Sequence, residues 1–246
     1  MALTIHPLVP SRLVIDLGRM TYLRNYGVSK WLPCPFYVIK GGEEPVLVDT
    51  SGPAAVMSKL RVEPVEDIMT FETALDQVNL KPEQIRKVIL THLMYDHCAN
   101  AKLLSNATFY TQQAELEFAR NPHPLYAGVY HRPLFEDLNF QLIRGDYELM
   151  PGIRLLHTPG HSPGNQSVAV STQAGMAIIT GFCCIGENFE VKDGAWVSDQ
   201  MPEVIPPGIH LDMPQAYNSA KRVADLADIL IPMHDPIMTA KRQIPE

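Results

Sequence analysis

Three short apolar runs in this chain each end on histidine, and no other feature restricts its fold as much. Lys87–Leu90 runs into Thr91-His92-Leu93-Met94-Tyr95-Asp96-His97. Ile153–His157 runs into Thr158-Pro159-Gly160-His161-Ser162-Pro163-Gly164, and Asp228–Ile231 runs into Met233-His234-Asp235. Runs of four or five residues bounded by Pro, Gly and polar residues read as buried strands. Imidazole and carboxylate groups at the C-terminal ends of several strands are the arrangement of a metal site in an α/β fold. Asp96 alone would equally serve as the N-cap of a helix starting at His97. Five such groups in three strand-end loops favour a shared site.

The remaining pattern agrees with α/β. Arg12–Leu17 reads as a strand, and Pro35–Lys40 and Pro45–Asp49 read as a hairpin around Gly41-Gly42, where glycine supplies the positive φ of the turn. Apolar residues at 68, 71, 75 and 78 predict one face of a helix over Ile68–Val78. A helix is expected to follow His97 through Leu104. Thr108–Thr111 then reads as a strand and Gln112–Arg120 as a helix. The segment 121–139, rich in Pro, His and aromatics, reads as an irregular surface excursion able to act as a lid. Strands follow at Gln141–Arg144, Ile153–His157, Ser167–Val170 and Met176–Thr180. Asp212, Pro214 and Gln215 mark the start of a last helix.

Composition narrows the function classes. A chain of 246 residues with 46% hydrophobic and 19% charged residues is an ordinary globular one. Without repeats or a composition shift, a single domain over 1–246 is expected. Twenty Lys+Arg are scattered against 27 Asp+Glu, for a net charge of −7, so no basic cluster offers itself to nucleic acid. No apolar run has the length of a membrane span, and Met1–Met20 lacks the pattern of a signal peptide. A cytoplasmic protein acting on a small molecule is therefore expected. Cys34, Cys98, Cys183 and Cys184 read as reduced thiols, with no CxxC spacing for structural zinc.

With these residues in view, the chain resembles the metallo-β-lactamase superfamily, and within it the N-acyl-homoserine lactonase-like hydrolases. The family motif His-x-His-x-Asp-His is matched by His92-Leu93-Met94-Tyr95-Asp96-His97. Val48-Asp49-Thr50-Ser51-Gly52, the Pro159-Gly160-His161 turn, Thr180-Gly181, Pro206-Pro207-Gly208-Ile209-His210 and His234-Asp235 follow in family order. The resemblance implies a four-layer αβ/βα sandwich with mixed sheets and an active site along one edge. It also implies two metals sharing a carboxylate.

Three positions depart from the family. Met94 stands where the second motif histidine is expected, Phe182 where the bridging Asp is expected, and Ile185 where the lactonases carry a substrate-binding Tyr. Thioether and phenyl are poor substitutes for ligands of a borderline divalent ion. Asp96, His97 and His234 remain. The resemblance thus implies one divalent metal on these three, zinc first, with iron or manganese as alternatives. His92 and His161 either complete its coordination or handle protons, so His92, His161 and Asp96 are the candidate catalytic groups. Met94 and Phe182 are expected to make the vacated half of the site apolar. Cys183 would point inward if the strand end shifts by one residue. The expected function is hydrolysis of a small ester, lactone or cyclic amide. Iron-dependent oxygen chemistry and a degenerate, non-catalytic binding protein are the alternatives. Aromatics of the N-terminal segment and of 121–139 are expected to wall the pocket, and a homodimer through the N-terminal segment is a further expectation.

Overall fold

The computed structural model describes residues 2–191 and 202–246. The first sheet contains β1 (Thr4–Asp16), β2 (Ser29–Lys40), β3 (Val46–Val48), β4 (Val65–Asp67), β5 (Lys87–Ile89), β6 (Thr108–Gln112) and β7 (Phe140–Ile143), in the order β4-β1-β2-β3-β5-β6-β7. The second contains β8 (Tyr147–Met150), β9 (Ile153–His157), β10 (Gln166–Thr172), β11 (Gly175–Ile179) and β12 (Ile229–Ile231), in the order β12-β11-β10-β9-β8. Both sheets are mixed: β3, β5, β6 and β7 run parallel, as do β11 and β12, and the remaining pairs are antiparallel. The helices are α1 (Ala54–Met57), α2 (Phe71–Asp76), α3 (Tyr95–Cys98), α4 (Gln113–Arg120) and α5 (Met213–Leu226).

Side-chain alternation along the strands sorts the core into layers. On β2, Tyr37 and Ile39 face the second sheet, where Val168, Val170 and Ile179 meet them. Phe36 and Val38 point the other way, onto Phe71 and Leu75 of α2 and Leu116 of α4. In the second sheet Leu156, Ala169 and Ile178 face outward onto Ala220 and Val223 of α5. Helices outside, two sheets between: this is the expected four-layer sandwich. Full burial of strands on both faces explains why they read as continuous apolar runs.

Three expectations need correction. The helix over 68–78 starts late, at Phe71, because Thr70 caps it by accepting from the Thr73 amide (3.1 Å). Ile68 instead ends up 44% exposed, its amide bonded to the Pro10 carbonyl at a bulge in β1. The helix expected through Leu104 is the single turn α3 followed by a 3-10 turn, Ala101–Leu103. Met94, not Asp96, is its N-cap. Finally, β1 begins at Thr4, well before Arg12; Pro7 and Pro10 disguised its first half.

No helix among the described residues is long and apolar enough to cross a membrane. The segment 121–139 is a series of turns with a 3-10 turn at Arg132–Leu134.

Candidate metal centre

The loops after β5, β9, β11 and β12 converge on one cavity of about 390 Å³. All five sequence-predicted residues line it: His92, Asp96, His97, His161 and His234. The four imidazoles are buried and packed together. The ring centroids of His92 and His97 lie 3.9 Å apart, those of His92 and His161 4.8 Å, and those of His97 and His234 5.4 Å.

Each ring is held by its Nδ1. His97 Nδ1 donates to Asp49 Oδ2 (2.8 Å), His161 Nδ1 to the Ile209 carbonyl (2.8 Å) and His234 Nδ1 to the Pro33 carbonyl (2.9 Å). The Thr91 hydroxyl donates to Asp49 (2.8 Å), which leaves its oxygen to accept from His92 Nδ1 (3.0 Å). The network therefore turns the Nε2 atoms toward the cavity, with lone pairs there wherever the ring is neutral. His92 Nε2 and His161 Nε2 face one another at 3.4 Å, and His97 Nε2 lies 3.6 Å from Asp96 Oδ2. His234 Nε2 is buried with no hydrogen-bond partner. A buried polar atom without a partner carries a desolvation cost unless something binds it. A carboxylate oxygen of Asp96 and the sulfur of Cys34 lie within 4.8 Å of it, donor chemistry that suits a divalent cation.

Charge is distributed unevenly over the cluster. Burial alone would lower His97, but the Asp96 and Asp49 carboxylates outweigh it and hold the imidazolium above its usual range. Burial, followed by the neighbouring rings His97, His161 and His234, pushes His92 well down. His161 is pushed down to about 4, chiefly by burial. Burial, followed by the His97 charge, lowers His234. Burial would raise Asp96, yet His97, His234 and Arg61 hold it below its ordinary value. Asp96 is thus an anion and His92 and His161 are neutral bases.

The loops are fixed by close approaches. In the His161 turn, a side chain on Gly160, at φ +125°, would come within 2.2 Å of the Ala216 backbone nitrogen in α5. One on Gly164 would come within 2.1 Å of the Glu115 nitrogen in α4. Both helices therefore pin the turn through glycine.

Three contributors were not legible from spacing. Asp49, buried at the end of β3 with φ +61°, accepts from the Thr91 amide (2.7 Å), the Thr91 hydroxyl and His97. The Val48–Gly52 motif marked this position but not its role. Holding a left-handed conformation there costs about 1 kcal/mol or more, which the three hydrogen bonds offset. Glu115 on α4 ties two site loops together, accepting from the Leu93 amide (3.0 Å), the Tyr130 hydroxyl (3.0 Å) and the Ser162 hydroxyl (2.5 Å). In sequence it looks like any surface glutamate. Arg61, whose side chain is 5% exposed, lines the cavity while pairing with Glu63 (3.2 Å) and the Val14 carbonyl.

The altered positions are also placed. Met94 lines the cavity. Phe182 does not: it packs with Leu156, Ile178 and Val223 beneath α5, so the expectation that it makes half of the site apolar is corrected. Cys183, one residue on, lines the cavity in its stead, with its thiol 3.5 Å from Met20 Sδ. Ile185 is buried among Leu13, Ile15 and Met20. Of the aromatics expected from the N-terminal segment and 121–139, Tyr126 reaches the cavity and donates to the His210 carbonyl (2.6 Å), and Tyr95 of α3, outside both segments, lines it as well. Phe36 is core and Tyr26 is exposed.

Asp49→Asn keeps the backbone conformation but removes the charge beside His97. It is expected to weaken divalent-metal affinity by about 10–100-fold, as loss of an outer carboxylate partner does. A competition titration against a chromophoric chelator measures this.

Residues 29–182 match the metallo-beta-lactamase superfamily. An N-acyl homoserine lactonase of Bacillus cereus is 36% identical over 193 residues, 73% of this chain and 75% of the relative. Among solved structures, a mutant of Bacillus thuringiensis AiiA with N-decanoyl-L-homoserine bound at the active site is similar at a TM-score of 0.77 and 26% identity, covering 100% of this chain and 99% of that one. An N-acyl homoserine lactone hydrolase with its product N-hexanoyl-L-homoserine bound at the catalytic metal center gives the same TM-score of 0.77, with 26% identity over 100% and 99% of the two chains.

Proposed function

Because the chain belongs to the metallo-beta-lactamase superfamily, as a lactonase-like member, we propose that it is a mononuclear hydrolase opening a small lactone, ester or cyclic amide. Asp96, His97 and His234 would hold one divalent ion, zinc in the first instance. The observation that carries this reading is the buried, unpartnered His234 Nε2 beside an anionic Asp96 and an anchored His97. When bound, such an ion lowers the pKa of water and polarises a carbonyl.

The chain's own residues supply the rest. His92 and His161 are neutral, and the Nε2 of either can accept the proton released as water adds to the acyl carbon. The same proton then serves the leaving oxygen or nitrogen as the acyl bond breaks, giving the acid and the alcohol or amine. Thr91 and the Ile209 carbonyl keep the two rings in the accepting tautomer. Leu13, Ile15, Leu125 and Val129 form an apolar wall for an acyl chain, and Arg19 and Arg61, which share Glu63, leave the cavity one net positive charge on that side. With Met94 and Ile185 at two family positions, the Asp–His–His set is the more complete half of the site.

The test is turnover of N-acyl homoserine lactones and of simple aryl esters by protein stripped with a chelator and then reloaded with zinc. Activity that disappears on stripping and returns with one equivalent of zinc is expected. Full activity in the stripped protein, or a requirement for two equivalents, contradicts the proposal.

A further inference from the structure

Among the described residues, a sulfur, a carboxylate oxygen and a ring nitrogen from Cys34, Asp96 and His234 all lie within 4.8 Å of one another. Ligand atoms around a tetrahedral zinc, with bonds of about 2.0–2.3 Å, stand roughly 3.5 Å apart, so binding draws the set inward by roughly an ångström. Cys34 lies on β2, directly after Pro33, whose carbonyl holds His234 Nδ1. One strand therefore orients the histidine and offers a thiol beside it. His234 Nε2, the buried atom without a partner, belongs to the same set. The other nearby thiol, Cys183, is turned onto Met20 Sδ and stands outside it.

We propose that Cys34 ligates the metal beside Asp96 and His234. This rests on the mononuclear reading above and goes beyond it. His97 Nε2 lies 3.6 Å from Asp96 Oδ2 but outside this set. Binding releases the thiol proton to solvent. A thiolate also sets the preference: it favours zinc or cobalt over manganese and magnesium, which prefer oxygen.

The full-length protein loaded with one equivalent of Co²⁺ tests this by absorption spectroscopy. Wild type is expected to show visible cobalt bands and a near-ultraviolet thiolate-to-cobalt charge-transfer band. Cys34→Ser should lose the charge-transfer band and keep the visible ones, while Cys183→Ser keeps both. Visible bands without charge transfer in wild type overturn the role of Cys34 and leave the metal site standing. So does a charge-transfer band lost only in Cys183→Ser. No cobalt uptake at all overturns both readings. X-ray absorption of zinc-loaded wild type needs no variant: one sulfur scatterer near 2.3 Å is expected, and a shell of nitrogen and oxygen alone contradicts the proposal.

Discussion

His97→Ala is expected to empty the metal centre. In the proposed site the ring supplies one of the imidazole ligands, so metal affinity should fall by more than the roughly 10–100-fold of an outer-shell loss, and hydrolysis should fall with it. The same change leaves two carboxylates facing each other without the cation between them. His97 Nδ1 donates to Asp49 (2.8 Å) and Nε2 lies 3.6 Å from Asp96. Breaking a buried pair of this kind costs about 3–5 kcal/mol. Metal-free wild type should therefore melt well above metal-free His97→Ala. The folded pKa of His97 is raised, so its contribution to stability is full below the unfolded value and is lost as pH rises through the folded one. The melting difference between the two metal-free proteins should shrink in that upper range. Elemental analysis and calorimetry read these effects, and unchanged metal content with unchanged ligand binding would favour a non-enzymatic protein.

Glu115→Ala has the second largest expected effect, although the residue touches no ligand. It strips partners from the buried Leu93 amide, Tyr130 hydroxyl and Ser162 hydroxyl. Each unpaired group costs about 1–3 kcal/mol. Because they share one cavity, the total should be roughly 3–5 kcal/mol, or about 10 °C in Tm for a chain of this size. Leu93 follows His92 and Ser162 follows His161, so the loops bearing both proton acceptors loosen together. Glu115→Gln keeps an acceptor toward Leu93 and Tyr130 and should recover most of the loss. Burial raises the Glu115 carboxyl despite its hydrogen bonds. Its contribution to stability is therefore present below the unfolded pKa and lost as pH rises through the folded value. Between those limits wild type should lose stability relative to Glu115→Gln, as denaturation at several pH values can check.

What was legible in the sequence follows from what sequence encodes locally. The strand-end histidines could be read because ligand chemistry and strand periodicity are both short-range patterns. The fold class could be read because strands buried on both faces leave unbroken apolar runs. The late start of α2 was not legible: Ile68 fits the helical period, and only the Thr70 cap and the bonding of residue 68 to β1 exclude it. Phe182 was assigned to the cavity by position, but the turn after Gly181, at φ +68°, sends it under α5 and brings Cys183 round. Cys34 and Glu115 carry no local signal at all, because their partners lie 62 or more and up to 47 residues away.

Anomalous diffraction from metal-replete crystals, recorded at the zinc edge, tests the central claim most directly. One ion per chain, bonded to Asp96, His97 and His234, is the predicted result. Two ions, with the second between His92 and His161, or no ion at Asp96 would contradict it.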